Sequence, residues 1–300
     1  MDQAERLRNI IKRQQYQPDL PPTMSRVITV TSGKGGVGKT SVSVNLAISL
    51  SRLGKKVVIL DADFGLANIE IMLGIRPQFN LADLMFREKN MREIITYGPE
   101  NIGFISGGSG INEMANLNKT QIVDLIQKMA ELDQLADIVI VDTGAGIGNS
   151  VLEFVAASEE VLLVATPEPT SITDAYALLK SLNRNSSYHK ATTVVKLIAN
   201  QVRGNNDANE LHEKLGIVVS KFLNIDIDYL GAIPYDDNMS KAILRQEPVV
   251  LFAPNSSASR SLMEIAAKLG DASLPAEEQG WGIMRLFSSV IRMKFGKNRG

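Results

Sequence analysis

An α/β fold, a doubly wound and mostly parallel sheet with helices on both faces, is predicted for this chain by three observations. Short apolar runs rich in Val and Ile recur along it, as strands buried on both faces require. Longer segments with helical spacing of apolar residues separate them. A glycine-rich turn joins the first run to the first such segment. At 300 residues the chain is long enough for one large domain of this kind.

Residues 1–16 read as a short helix, because Ala4, Leu7, Ile10 and Ile11 recur at spacings of three and four. Pro18, Pro21 and Pro22 end it and make 17–23 a linker. Apolar runs at 27–31, 57–60, 102–106, 138–141, 161–165, 194–199 and 229–233 are the expected strands. Segments such as 41–53, 120–131 and 171–182 are expected helices, and residues 24–270 form one domain. Residues 271–280 are an acidic linker around Pro275. Residues 281–300 then carry five Lys/Arg and no acid.

Composition excludes several classes. With 44% hydrophobic and 22% charged residues, most of the chain is not disordered. A net charge of -1 gives no bulk signal for nucleic acid, and none is expected as a partner. The absence of cysteine removes disulfides, thiolate zinc sites, iron–sulfur clusters and cysteine nucleophiles. No apolar stretch approaches the roughly 18 residues of a membrane span. The N-terminus has no apolar core of a secretory signal, so a cytoplasmic protein is expected.

Gly33-Lys34-Gly35-Gly36-Val37-Gly38-Lys39-Thr40 fits the phosphate-loop pattern G-x-x-x-x-G-K-[ST] in full, after a strand and before a helix opening at Ser41. Glycines let backbone N–H groups converge on phosphate oxygens, and the helix adds its positive end. Lys39 would neutralise β/γ charge and Thr40 would ligate Mg²⁺. Asp61 and Asp63 follow the strand at 57–60, and Asp142 follows that at 138–141. Carboxylates at strand C-termini project into the crevice where α/β ligands bind. His189 and His212, the two histidines, lie in polar helix-end or loop contexts, so neither is a better general base. Phosphoryl transfer to water is the chemistry these residues suit.

Lys34 is unusual, since an ordinary phosphate loop needs no lysine after its first glycine. KGGVGKT, the DADFGLAN segment from Asp61 and the DTGAGIG segment from Asp142 together resemble the MinD/ParA family of deviant Walker A ATPases, a MinD-like branch of the P-loop NTPases. The resemblance implies a nucleotide-sandwich homodimer in which Lys34 reaches the partner's phosphates, so that hydrolysis depends on dimerisation. It implies that Asp63 orients the attacking water, that Asp61 supports Mg²⁺ from behind, and that Asp142 holds a Mg²⁺-bound water. Asn200 and Arg203, with Pro234 and Asp236, resemble the family's base-binding elements. An Asn amide can serve adenine's N6 and N7, and no N-K-x-D motif for guanine is present, so the nucleotide is expected to be ATP.

Residues 281–295 form an amphipathic candidate. Ile283, Met284, Leu286, Phe287, Val290 and Ile291 share one face, with Trp281 at the start, and Arg285, Arg292 and Lys294 are basic. That combination marks an in-plane helix on an anionic membrane surface. So apolar a helix should not stay solvated, so docking on the domain is expected in the monomer. With the head residues Gln3, Ala4, Leu7 and Arg8, the whole chain is similar to the FlhG (FleN/YlxH) subgroup of the family. That likeness implies a role in the number and placement of bacterial flagella. Its implied partners are the SRP-type GTPase FlhF, stimulated by the head helix, and the C-ring proteins FliM, FliN or FliY. MinD-like division-site placement and ParA-like DNA segregation are the alternatives.

Overall fold

The structure, a computed structural model, describes residues 24–63, 68–108, 119–190, 192–204, 206–271 and 282–296, with backbone alone at 285 and 292–296. The expected head helix with Gln3, Ala4, Leu7 and Arg8, the linker at 17–23, most of the acidic linker, Trp281 and the side chains of Arg285, Arg292 and Lys294 lie outside the described residues.

Eight strands form one sheet: β1 (Arg26–Ser32), β2 (Val57–Ala62), β3 (Thr96–Tyr97), β4 (Gly103–Ile105), β5 (Ile138–Ala145), β6 (Glu160–Ala165), β7 (Val194–Val202) and β8 (Ile227–Pro234). Their spatial order is β3-β4-β2-β5-β1-β6-β7-β8. All neighbours are parallel except β3 and β4. The seven apolar runs of the sequence are seven of these strands. β3 has two residues and no periodicity by which to be read.

Helices relevant to the site are α1 (Lys39–Arg52), α2 (Asn68–Leu73), α3 (Leu81–Phe86), α4 (Met91–Ile94), α5 (Lys119–Ala130), α6 (Leu132–Leu135), α7 (Asn149–Ala157), α8 (Pro169–Asn183), α9 (Asp207–Leu223), α10 (Asp237–Leu244), α11 (Val249–Phe252), α12 (Ser257–Asp271) and α13 (Gly282–Gly296). They cover both faces of the sheet. Alternate strand residues serve alternate faces. Ile28, Val30, Ile59, Ile140, Leu162 and Val164 pack with α1 and α12. Val58, Leu60, Val139 and Val141 pack on the other side with α5 and α13. Val161, Leu163 and Leu197 meet α7, α8 and α9. Both faces being dry explains why the strands read as continuous apolar runs. Each fully buried Leu, Ile or Val contributes about 1.5–3 kcal/mol.

At the N-terminal edge of the strands, Glu160 accepts from Arg26 at 2.7 Å and from Lys196 at 2.8 Å, which ties β1, β6 and β7 together. Burial pushes this carboxyl up, and the two cations outweigh it, so it lies below the usual range.

α13 is docked. Ile283, Leu286, Phe287 and Val290 are buried, and the Phe287 ring meets Phe154 of α7 edge-on, with centroids 6.0 Å apart. The first turn is held by Asp133 of α6, whose Oδ1 accepts from the Ile283 N–H at 3.2 Å. The same oxygen accepts from the Ser25 N–H and hydroxyl, just ahead of β1.

Candidate active site

The loop 33–38 lies between β1 and α1. Gly38 precedes the helix with φ 93°, a left-handed conformation, and no side chain caps α1. By contrast, α3 and α4 open on Asn80 and Asn90 with complete capping boxes. The first turn of α1 therefore presents N–H donors and a positive dipole end at the loop. Gly33 is required for a different reason. A Cβ there would lie 2.1 Å from the Asp174 carbonyl carbon on α8, so the loop's start rests directly on helix backbone. Lys39 is 8% exposed. Burial lowers its pKa, opposed by the charges of Asp142 and Asp63.

Asp142, on β5, is fully buried. Its Oδ2 accepts from the Thr40 hydroxyl at 2.7 Å and its Oδ1 from Ser43 at 2.8 Å. Thr40 and Ser43 are three apart on α1, so one helix face grips both oxygens. Burial pushes Asp142 up to about 6 despite these bonds and the nearby Lys39. Asp61 lies beside it, since β2 and β5 place the two residues in register. Burial first, then the Asp142 charge, raise Asp61 to about 8. Asp63 lies just beyond β2, which ends at Ala62. Its N–H turns back to Asp61 Oδ1 at 3.0 Å. Its carboxylate accepts from Asn68 at 3.0 Å and lies against Gly144. The turn still brings it into the crevice, where its charge acts on Lys39, Asp61 and Asp142.

The donor set suits a hard dication that arrives with phosphates. Among the described residues, no group of three or more His, Cys, Asp or Glu could hold a metal. One hydroxyl and one carboxylate beside a phosphate loop match Mg²⁺, which keeps waters and takes few protein ligands.

Lys34 is held on its own chain. Its Nζ donates to Glu168 Oε2 at 2.6 Å and to the Thr170 hydroxyl at 2.8 Å, at the start of α8. The pair is on the rim, with side chains 34% and 62% exposed. Ser43, Glu168 and Thr170 were missed in the sequence. Glu168 follows the C-terminal end of β6, the position that singled out the three aspartates.

On the other side of the loop, Asn200 is buried and donates from Nδ2 to the Val37 carbonyl at 2.7 Å. Its Oδ1 accepts from the Gln201 N–H at 3.0 Å. One amide hydrogen and one lone pair remain. The Arg203 guanidinium stacks on the Tyr235 ring at 4.6 Å, next to Pro234 at the end of β8. Asp236 is engaged otherwise. Its oxygens accept from the Asn238 N–H, the Asn238 amide, the Ser257 hydroxyl and the Ala258 N–H. Burial pushes it up, but these bonds prevail and hold it at about 2. Its side chain joins α10 to α12. His212 is inside α9, not at a helix end or in a loop, and its Nε2 meets the Ile227 carbonyl, at the opposite end of β8 from the site.

Known proteins resemble this chain in sequence and in fold. The ParA family, described as NUBPL iron-transfer P-loop NTPase, matches residues 23–270. This chain has no cysteine and so no thiolate ligand for iron. It is 43% identical over 255 residues to the antiactivator FleN of Pseudomonas aeruginosa, covering 85% of this chain and 90% of that protein. It is 33% identical over 276 residues to the flagellum site-determining protein YlxH of Helicobacter pylori, covering 89% and 90%. Among solved structures, the MinC:MinD cell division protein complex of Aquifex aeolicus aligns with TM-score 0.65 at 26% identity, over 84% of this chain and 98% of that one. With its phosphate loop, uncapped helix and strand-end aspartates in place, this chain belongs to the MinD/ParA family of P-loop ATPases, in the FlhG (FleN/YlxH) branch.

Proposed function

We propose that this ATPase is a dimerising, membrane-associated switch that regulates the number and placement of bacterial flagella. The observation that carries the reading is the position of Lys34. Its ammonium rests on Glu168 and Thr170 at the exposed rim, from which it can be handed to a second copy. The names of FleN and YlxH support the flagellar role.

In this reading the α1 N-terminus, Gly33 to Ser41 and Lys39 bind the triphosphate of ATP. Thr40 would hold Mg²⁺, with Asp142 acting through a bound water and Asp61 behind, and the ion would neutralise phosphate charge. Asp63 orients a water toward the γ-phosphorus. The new P–O bond forms as the bond to the β–γ bridging oxygen breaks; one proton of the water stays on the phosphate formed and the other passes to solvent, and ADP and inorganic phosphate leave. The partner's Lys34 stabilises charge on the oxygens in transit. Asn200, Arg203 and the backbone at Pro234 to Asp236 enclose the adenine.

The tail is the second half of the switch. In one chain α13 buries its apolar face. Dimerisation releases it to anionic lipid at the cytoplasmic face of the cell membrane, where two tails bind better than one. The head residues Gln3, Ala4, Leu7 and Arg8 stimulate FlhF, and FliM, FliN or FliY are further partners. The test is sedimentation of the full chain with anionic vesicles. Mg²⁺ and a non-hydrolysable ATP analogue should carry it down and ADP should not; equal sedimentation refutes the coupling. Stimulation of FlhF's GTP hydrolysis should be lost from a chain starting at Met24.

A further inference from the structure

We infer that Asn200 is a positioning residue for the phosphate loop, and that through it the base side and the phosphate side of the site are set together. The inference rests on the ATP-binding reading above and goes beyond it. A residue that only reads the base would be independent of the loop. Asn200 is bonded to it.

Three observations converge. The first is the bond itself, from Asn200 Nδ2 to the Val37 carbonyl at 2.7 Å. In a trans peptide the C=O and the next N–H point in opposite directions. Holding the Val37 carbonyl toward Asn200 therefore aims the Gly38 N–H away from it. Gly38 sits tightly against the amide, since a Cβ there would lie 2.5 Å from Nδ2. The orientation of this peptide is what a phosphate oxygen approaching the start of α1 would meet.

The second observation fixes which way the amide faces. Between Asn200 and Val202 the β7–β8 register shifts. The extra residue, Gln201, has φ 58°, a left-handed conformation rare for a residue with a side chain. Its N–H is taken by Asn200 Oδ1 at 3.0 Å. Flipping the amide would set oxygen against the Val37 carbonyl and NH₂ against an N–H. The network thus permits one orientation.

The third concerns the residues beyond the bulge. The Val202 carbonyl accepts from the Tyr235 N–H at 2.8 Å, and Tyr235 carries Arg203 on its ring. The carboxamide thus bonds the phosphate loop on one side and, on the other, the bulge residue that leads through Val202 to the stacked pair.

The experiment is calorimetric titration of the full chain with Mg²⁺–tripolyphosphate, which has no base, and with Mg²⁺–ATP. Wild type should bind both; binding neither would remove the ATPase reading itself. Asn200→Ala should weaken tripolyphosphate about tenfold, the size of one buried hydrogen bond. Asn200→Asp should weaken it more, because a carboxylate cannot donate to Val37. Arg203→Ala should weaken ATP and leave tripolyphosphate unchanged. If Asn200→Ala loses ATP affinity but keeps tripolyphosphate affinity, the inference is wrong. A second readout needs no ligand: the Gly38 amide resonance should shift in Asn200→Ser, and an unmoved resonance also overturns the proposal.

Discussion

At the scale of single residues, the site is a set of buried charges held in tension. Asp61 and Asp142 are neighbours on adjacent strands, both buried, and both lie above the ordinary carboxylate range. The sign of the consequence follows from linkage. An unfolded Asp61 ionises near its ordinary 3.8, the folded one at about 8. The contribution of Asp61 to the stability of the ligand-free protein is therefore fullest at low pH and falls as pH rises across that interval. Asp61→Asn keeps an oxygen for the Asp63 N–H and cannot ionise. It should raise the melting midpoint at pH 8 by at least about 2 °C and flatten its pH dependence. Parallel melting curves for variant and wild type would contradict this. In the proposed reaction Asp63 has a different task. Asp63→Ala should lower ATP hydrolysis at least about a hundredfold while ATP-bound dimer accumulates, read by phosphate release and by mass. Turnover at the parent rate would remove it from its role. The spacing of motifs made the three aspartates and Lys39 legible. It could not show Ser43 on the second oxygen of Asp142, because a serine one turn along a helix has no signature until the strand beside it is placed.

At the scale of elements, α13 is the part that the proposed switch moves between two environments. Its apolar face is buried against α5 and α7, and its first turn depends on Asp133. Burial raises the pKa of that carboxyl, against the bonds from Ser25 and Ile283. Asp133→Ala leaves the apolar face of the tail intact while removing its anchor. Hydrogen exchange at Leu286 to Ile291 should quicken about tenfold, and vesicle binding with ADP should rise. Unchanged exchange would show that apolar packing alone holds the helix. The amphipathic pattern of the tail was visible in the chain, and so was the need to cover it. Its place between α5 and α7 was not, since an apolar stripe does not name its partner. The strands were legible for the opposite reason. Two dry faces leave continuous runs such as 138–141, while β3, with two residues, leaves nothing to count.

At the scale of the whole molecule, the proposed switch has one chain hold back both of its outward contacts. Lys34 rests on Glu168 and Thr170, and the tail rests on the domain. A second copy bound through ATP would draw the lysine across, and the proposed release of α13 follows from the same event. In the proposed switch, doubling the tails turns weak lipid binding into stable attachment. Most direct is the solution mass of the full chain by light scattering, with Mg²⁺ and either ADP or a non-hydrolysable ATP analogue. The account requires a monomer with ADP, a dimer with the analogue, and a monomer with both for Lys34→Ala. A wild-type chain that keeps the mass of one copy under saturating analogue would contradict it.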